Sequence, residues 1–465
     1  MATALDPDKV AEIKDVEMNR LQARTRQSFQ LVRRSVNRMP LGVPSSIFAI
    51  PPYPLTILSG LGARIIDADG NEYLDYGGGY GTSVFGHANP EITAAIISRA
   101  ERGVFFGALG RDVTDWAELM ADRFQLDWVR FASSGSEAVQ EALRLAKALT
   151  DRDRIVKIEG SYNGTSPWTL HSTHPELELA GPADRPNTVP VGKGLDSVDN
   201  VDIIPFNDLV AAERLLIGGS AAALITEPIL FNVGAIFPAE GYLQGLRELC
   251  DRTGTLLIFD EVKTGVAIAY GGAQEYFGVE PDLKAFGKGI GGGLAAGAFG
   301  GRAEDGYTAI SDWTAPHFGT FSGNHLVAAA GTAALKLLDR PAYQQLEDHR
   351  LRLAAGLEQA IAEFDLPAYV DGAAAKNSVV WADPEQGRLH DFRDYIARLD
   401  EEVGTAMWFW MMNRGVWLTP GRDEQTTHSI AHTDADADAY IAAFHSFCAE
   451  LRKPVDDLLF DENWI

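Results

Sequence analysis

A rhythm in the middle of the chain constrains its fold more than any other feature. Short apolar runs at Val129–Phe131, Ile155–Ile158, Ala222–Ile225, Leu256–Phe259 and Leu283–Phe286 are separated by helical stretches, among them 137–149 and 240–253. Short apolar runs of this kind suit strands covered on both faces, and strands joined through helices lie parallel. The alternation predicts an α/β fold with a mainly parallel central sheet and helices on both faces.

Either side of this block the texture changes. Arg64–Asp67 and Asn71–Asp75 read as short strands joined at Asp69-Gly70, a hairpin signal. Residues 6–38 read as a solvated amphipathic helical arm, acidic early and arginine-rich late, ended by Pro40 and placed to lie against a partner subunit. Residues 167–205 break the rhythm, as a functional or mobile loop would. After the block come a helix over 341–363, a strand at Asn377–Trp381, a helix over 396–413 and a strand at Val416–Leu418. A last helix opens at Thr433–Asp436 in the manner of a capping box, with Ile441, Phe444, Cys448 and Leu451 on one face. A chain of 465 residues exceeds one simple core. The expected division is an N-terminal arm and part of a small α+β domain over 1–75, a large domain over 76–335, and the rest of the small domain over 336–465.

Charge limits the partners. Lys plus Arg number 40 against 65 Asp plus Glu, a formal net charge of −25. Such a surface repels phosphate backbones and anionic membranes, so neither nucleic acid nor a membrane is expected. Any anionic ligand must find a local pocket of positive potential. The two cysteines, Cys250 and Cys448, form no disulfide framework and no metal-ligand spacing, and they suit a reducing, cytoplasmic setting with no metal. No apolar run opens the chain as a signal peptide would, and the Gly/Ala stretch between Lys288 and Arg302 is too short to span a bilayer.

Three constellations carry chemistry. Ser133-Ser134-Gly135-Ser136-Glu137 follows a strand and opens a helix, so its free N–H groups, hydroxyls and helix dipole can hold a phosphate; a lone Ser-Gly-Ser is otherwise an ordinary helix cap. Asp260 ends the apolar run Leu256–Phe259, where ligands of open α/β sheets bind, and can face a cationic group. Lys288 is a lone cation in Phe286-Gly-Lys-Gly-Ile-Gly-Gly-Gly293. Held in a small dry space it can form a Schiff base; the alternatives are a flexible linker or a phosphate-binding lysine. Lys284 is the poorer candidate, in a strand that alternates toward solvent. Phosphate loop, acid and lysine, each at a strand end, make the layout of a pyridoxal phosphate site.

At these residues the chain resembles the class III (subgroup II) aminotransferases of fold type I, nearest to the glutamate-1-semialdehyde aminomutase-like branch. The matching stretches are Tyr73–Tyr76, Phe85–Pro90, Ser134–Ala138, Glu159–Gly164, Glu227-Pro228, Phe259–Val262, Gly287–Gly293 and Gly319–Asn324, in the family's order over residues 60–330. The resemblance implies pyridoxal 5′-phosphate as cofactor, carried by Lys288, with Asp260 on its ring nitrogen. It implies Ser134, Gly135 and Ser136 at its phosphate, Tyr162 and Val262 on its two faces, and Asn163 beside it. Asn232 would reach its phenolic oxygen, with Glu227 supporting that network. Thr320 would serve the phosphate of a second subunit, in a homodimer with shared sites. The substrates would be a small-molecule amine donor and a carbonyl acceptor.

The chain also departs from that family. Phe48 stands where the aminomutase-like enzymes usually carry an Arg for a substrate carboxylate, Val266-Ala267 where they often have Phe-Arg, and Asn163 where a His is common. Phe48, Tyr80 and Tyr53 could build an aromatic pocket for an amine or β-amino substrate with a bulky apolar group; Arg422 is an alternative carboxylate anchor. Two activities compete on this scaffold: transfer of an amino group between two molecules, and an intramolecular aminomutase reaction. A racemase or a decarboxylating variant also uses this fold and cofactor.

Overall fold

The computed structural model describes residues 4–195, 199–302, 304–419 and 425–455. Its main sheet has seven strands in the order Trp128–Ala132, Gly297–Gly301, Leu283–Gly287, Leu256–Asp260, Ala221–Thr226, Arg154–Ile158 and Val201–Ile204. All run parallel except Gly297–Gly301, which pairs antiparallel with both neighbours. The expected parallel sheet is therefore present, with two strands that the apolar runs did not announce. Gly-Ala-Phe-Gly-Gly lacks the β-branched residues that mark a strand. Val201–Ile204 lies inside the stretch read as irregular.

The central strands are buried along their whole length, as Ala221–Thr226 shows at every position. Helices cover both faces. Gly135–Thr150 sets Ala138, Val139, Ala142, Leu143 and Ala146 on one face of the sheet. Arg111–Phe124 covers the other, where Trp116 stacks on Phe131 with centroids 4.0 Å apart. Because both faces are covered, the alternation expected to turn Lys284 outward does not. Lys284 is buried and its Nζ donates to the Phe124 carbonyl at 2.5 Å.

A second core joins the two chain ends. It contains Tyr73, Tyr76, Trp381, Trp408, Trp410, Phe444 and Phe447. A four-stranded sheet (Ile57–Leu61, Arg64–Asp67, Glu72–Asp75, Val416–Trp417) and a three-stranded one (Tyr369–Ala373, Lys376–Val380, Gln425–Thr427) frame it with the helices Arg340–Glu363, Glu401–Asn413 and Asp434–Leu451. The capping box is formed as expected: Thr433 and Asp436 exchange side-chain and backbone bonds.

The arm differs from its expectation. It is two helices, Pro7–Arg24 and Arg26–Ser35, and the first packs into this core through Ile13 and Leu21. Asp6, Asp8 and Asp15 are exposed as that reading expects, but two further charges of the arm are buried and paired. Lys9 Nζ meets Glu450 Oε1 at 3.0 Å, and Glu17 takes Arg20 at 2.7 Å and Asn413 at 2.6 Å. The irregular stretch is likewise fastened, since Arg393 donates to Glu159, Ala180 and Gly181. Among the described residues no helix is long and apolar enough to cross a membrane.

Candidate active site

Strand direction brings the chemistry to one edge. The carboxyl ends of Trp128–Ala132, Ala221–Thr226, Leu256–Asp260 and Leu283–Gly287 deliver Ser134, Glu227, Asp260 and Lys288 to one cavity of about 200 Å³. Gly135, Ser136, Tyr162, Asn163, Asn232, Val262 and Lys263 complete its wall.

At one end Ser134 caps the helix Gly135–Thr150, its Oγ accepting from the Glu137 N–H at 3.2 Å. Glu137 in turn accepts from the Ser133 N–H at 2.6 Å. The first N–H groups of a helix have no acceptor within it, so Gly135 and Ser136 offer donors at the positive end of the dipole. Gly164 lies against them at φ +88°, where a Cβ would come within 2.7 Å of Ser136 Cα. A side chain there would fill the space the helix opens onto.

At the other end Asp260 is buried. Its Oδ1 accepts from the Val262 N–H at 3.1 Å and its Oδ2 from Asn163 Nδ2 at 2.8 Å. Burial raises its carboxyl pKa, while Asn163, Val262, Lys288 and Lys157 pull the other way. Glu227 spans the side wall, accepting from the Tyr162 N–H at 3.0 Å and from Asn232 Nδ2 at 2.7 Å. Burial and the neighbouring Asp260 raise it to about 7, against Lys263, Asn232 and the Tyr162 N–H. Burial also raises the Tyr162 phenol, opposed by a hydrogen bond with Ser136.

Lys288 opens a short turn, Lys288–Gly291, at φ +51°, a conformation that L side chains adopt at a cost of about 1 kcal/mol or more. A fold that enforces such a residue fixes where its side chain goes. Gly81 approaches that side chain: a Cβ on Gly81 would lie 4.0 Å from Lys288 Cδ and 2.7 Å from Lys376 Nζ.

Beside Gly81 a larger cavity of about 680 Å³ opens outward. Phe48, Ile50, Leu55, Tyr80 and Trp417 line it, with the Asp75–His87 pair at 2.5 Å. The rings of Phe48 and Tyr80 lie 5.9 Å apart, and Tyr80 OH donates to the Ile47 carbonyl at 2.9 Å. Tyr53, expected in this wall, is elsewhere. Its hydroxyl bonds Thr25 at 2.8 Å and its ring packs on Phe29, so it fastens the arm. Arg422 lies outside the described residues. Thr320 sits on an exposed loop and does not line the cavity within its own chain. Phe318 and Phe321 beside it are 71% and 58% exposed.

Sequence reasoning passed over Lys157, Ser161 and Lys263. Lys157 had a signal, a charge inside the apolar run Ile155–Ile158. Its side chain is fully buried beneath the site, bonded to Ser161. Lys263 donates to the Phe231 carbonyl at 2.9 Å.

Comparison with known proteins agrees with this geometry. The family model "Aminotransferase class-III" matches residues 50–387. Over 441 residues the chain is 36% identical to a glutamate-1-semialdehyde 2,1-aminomutase of Anaeromyxobacter sp. (strain Fw109-5), covering 92% of this chain and all of that protein. An omega-transaminase structure from Sphaerobacter thermophilus superposes with a TM-score of 0.86 at 32% identity, covering 92% of this chain and 98% of that one. A beta-phenylalanine aminotransferase from Variovorax paradoxus gives 0.84 at 30%, covering 95% and 97%.

Proposed function

Because this chain belongs to the class III aminotransferase family, of fold type I, we propose that it transfers an amino group between a bulky, apolar amine or β-amino compound and a carbonyl acceptor. The family's cofactor, and this chain's, is pyridoxal 5′-phosphate. The residues present fit it: a helix N-terminus with a space that a Cβ on Gly164 would fill, a buried carboxylate opposite, and a lysine at the same strand ends.

When bound, the cofactor supplies an electron-withdrawing ring that stabilises the carbanion left when the substrate carbon loses a proton. The chain's own residues do the rest. Gly135, Ser136 and Ser134 bind the phosphate dianion through N–H groups, hydroxyls and the helix dipole. Asp260 holds the proton on the ring nitrogen. Tyr162 and Val262 sandwich the ring. Glu227 orients Asn232 toward the phenolic oxygen. Lys288 Nζ would hold the cofactor between turnovers and, when free, would take the proton from the substrate carbon and deliver it to the cofactor's C4′.

One observation carries the substrate reading: the cavity beside Tyr80, which precedes the Gly81 that approaches Lys288, is walled by Phe48, Ile50, Leu55, Tyr80 and Trp417. Among the described residues no guanidinium lines that cavity, and a structure of similar fold is that of a beta-phenylalanine aminotransferase. The second reading, an aminomutase, is favoured by the curated relatives of that name. Amino donors offered without an acceptor decide between them. Conversion of the cofactor to its amine form with release of one equivalent of carbonyl product, and further turnover only after a keto acid is added, supports transfer. Complete turnover of glutamate 1-semialdehyde with no acceptor supports the mutase.

The assembly we propose is a homodimer with shared sites, in the cytoplasm. Thr320 reaches the partner's phosphate from a loop whose exposed rings, Phe318 and Phe321, continue to Phe106 and Leu109, 56% and 81% exposed. An apolar band of that kind marks an interface. Sedimentation at twice the 50.4 kDa subunit mass is the expected result.

A further inference from the structure

Beneath the floor of the site lies a polar thread that the proposed reaction does not use. Lys157 sits on the strand Arg154–Ile158 with no solvent exposure. Its ammonium has three donors and makes three bonds: to the Ser161 carbonyl at 2.6 Å, to Ser161 Oγ at 3.0 Å and to the Ile158 carbonyl at 3.2 Å. A Ser161 Oγ that accepts from Lys157 has its own proton to give. Asn163 Oδ1, at 2.9 Å, is an acceptor for it, in competition with the Ile158 carbonyl at 2.7 Å. Asn163 then has its amide nitrogen to give, and gives it to Asp260 Oδ2 at 2.8 Å. The order of donors runs one way, from a buried cation to a buried anion. Hydrogen bonds in such a chain polarise one another in a low-dielectric interior.

We propose that Lys157 is a positioning residue for the cofactor: acting through Ser161 and Asn163, its ammonium fixes the amide that holds Asp260 and keeps that carboxylate ionised for the ring nitrogen. The inference rests on the pyridoxal phosphate reading of the site and deepens it. Charge supports the geometry. The groups that face Lys157 are Glu227, Asp260 and Glu159, the last tied to Arg393. Burial pulls the ammonium's pKa well down, and those carboxylates hold it up. Lys157 is one of the groups, with Asn163, the Val262 N–H and Lys288, that favour the ionised form of Asp260.

The test compares K157M, S161A and D260N with the unmodified holoenzyme. Two quantities are read: the dissociation constant of pyridoxal phosphate after resolution to apoenzyme, and the pH titration of the bound cofactor's absorption bands. D260N sets the scale and the direction. K157M is expected to weaken cofactor binding about tenfold and to move the titration by about one pH unit in that direction, since one unit and one decade are the same free energy. S161A interrupts the thread but leaves Lys157 its two carbonyls, and is expected to weaken binding about threefold with a smaller shift. It decides alone if K157M does not fold. Adding K157M to N163A should change little further, because Lys157 acts on Asp260 through Asn163. If D260N moves both readings while K157M and S161A move neither, or weaken binding without moving the titration, Lys157 is merely structural and the proposal falls, with the site itself intact. If D260N moves neither, the role of Asp260 falls first.

Discussion

The polar cavity that Lys288 lines and the apolar one beside Tyr80 are built in opposite ways. In the floor Asp260 pairs with Asn163 at 2.8 Å, Glu227 with Asn232 at 2.7 Å and Lys157 with Ser161 at 2.6 and 3.0 Å, all buried or nearly so. The mouth is apolar and open: Phe48 is 40% exposed, and the hydrogen bond we find on its aromatic pair is Tyr80 to the Ile47 carbonyl. A buried network of charges is costly to alter, because removing one partner leaves another unpaired in low dielectric. An apolar wall can change residue by residue at a cost of packing alone. On the proposed reading the floor sets the kind of chemistry and the mouth sets the molecule it acts on.

That contrast can be broken by experiment. Lys288→Ala should abolish transfer, a loss of roughly 10²–10⁴-fold from the missing proton transfer alone, measured as single-turnover rates with cofactor supplied. Asp260→Asn should lower kcat roughly 10²–10³-fold with little change in KM, because its charge matters most where carbanion charge develops. If either variant instead altered only KM for the amine, floor and mouth would not divide as described.

Acid should attack the mouth side first. Behind its wall, Tyr76 packs on His349 and His432, and His428 packs on His349, with Tyr76 OH 3.1 Å from His349 Nε2. Burial lowers all three imidazoles, His432 to about 4 from an ordinary 6.5. The unfolded chain takes up those protons near pH 6.5 and the folded chain does not. Their contribution is therefore complete above pH 6.5 and is lost as pH falls toward 4. His432 alone should cost up to about 3 kcal/mol over that window, and urea unfolding at stepped pH measures it. A His432→Gln variant should flatten the slope.

The smallest expected effect tests the mouth directly. Phe48→Ala should lower kcat/KM for a bulky apolar amine about tenfold and leave cofactor affinity unchanged. Phe48→Arg should turn the preference toward an amino acid over its decarboxylated amine. Loss of cofactor in either variant would join the two regions.

Legibility in the sequence followed the same division. The floor announces itself because strand ends, glycines and a charge inside apolar runs are local patterns, so Ser134–Ser136, Asp260 and Lys288 were readable as one constellation. Lys157 stood in plain view inside Ile155–Ile158, but its meaning depends on Ser161 and Asn163 folding back across the strand end. The mouth depends on segments far apart in sequence, Phe48, Tyr80 and Trp417, so that Tyr53 was assigned to it although its hydroxyl turns to Thr25. The buried face of the arm and Lys284 escaped the sequence for one reason. A charge reads as solvent-facing until its buried partner, Glu450 or the Phe124 carbonyl, is known.

The central claim is that Lys288 holds the cofactor above this floor. Borohydride reduction of the holoenzyme followed by peptide mass mapping tests it most directly. The expected result is one reduced pyridoxyl adduct, on the peptide containing Lys288, and none in Lys288→Ala. An adduct on Lys263, Lys157 or Lys376, or none on a protein that still transfers amino groups, would contradict the account.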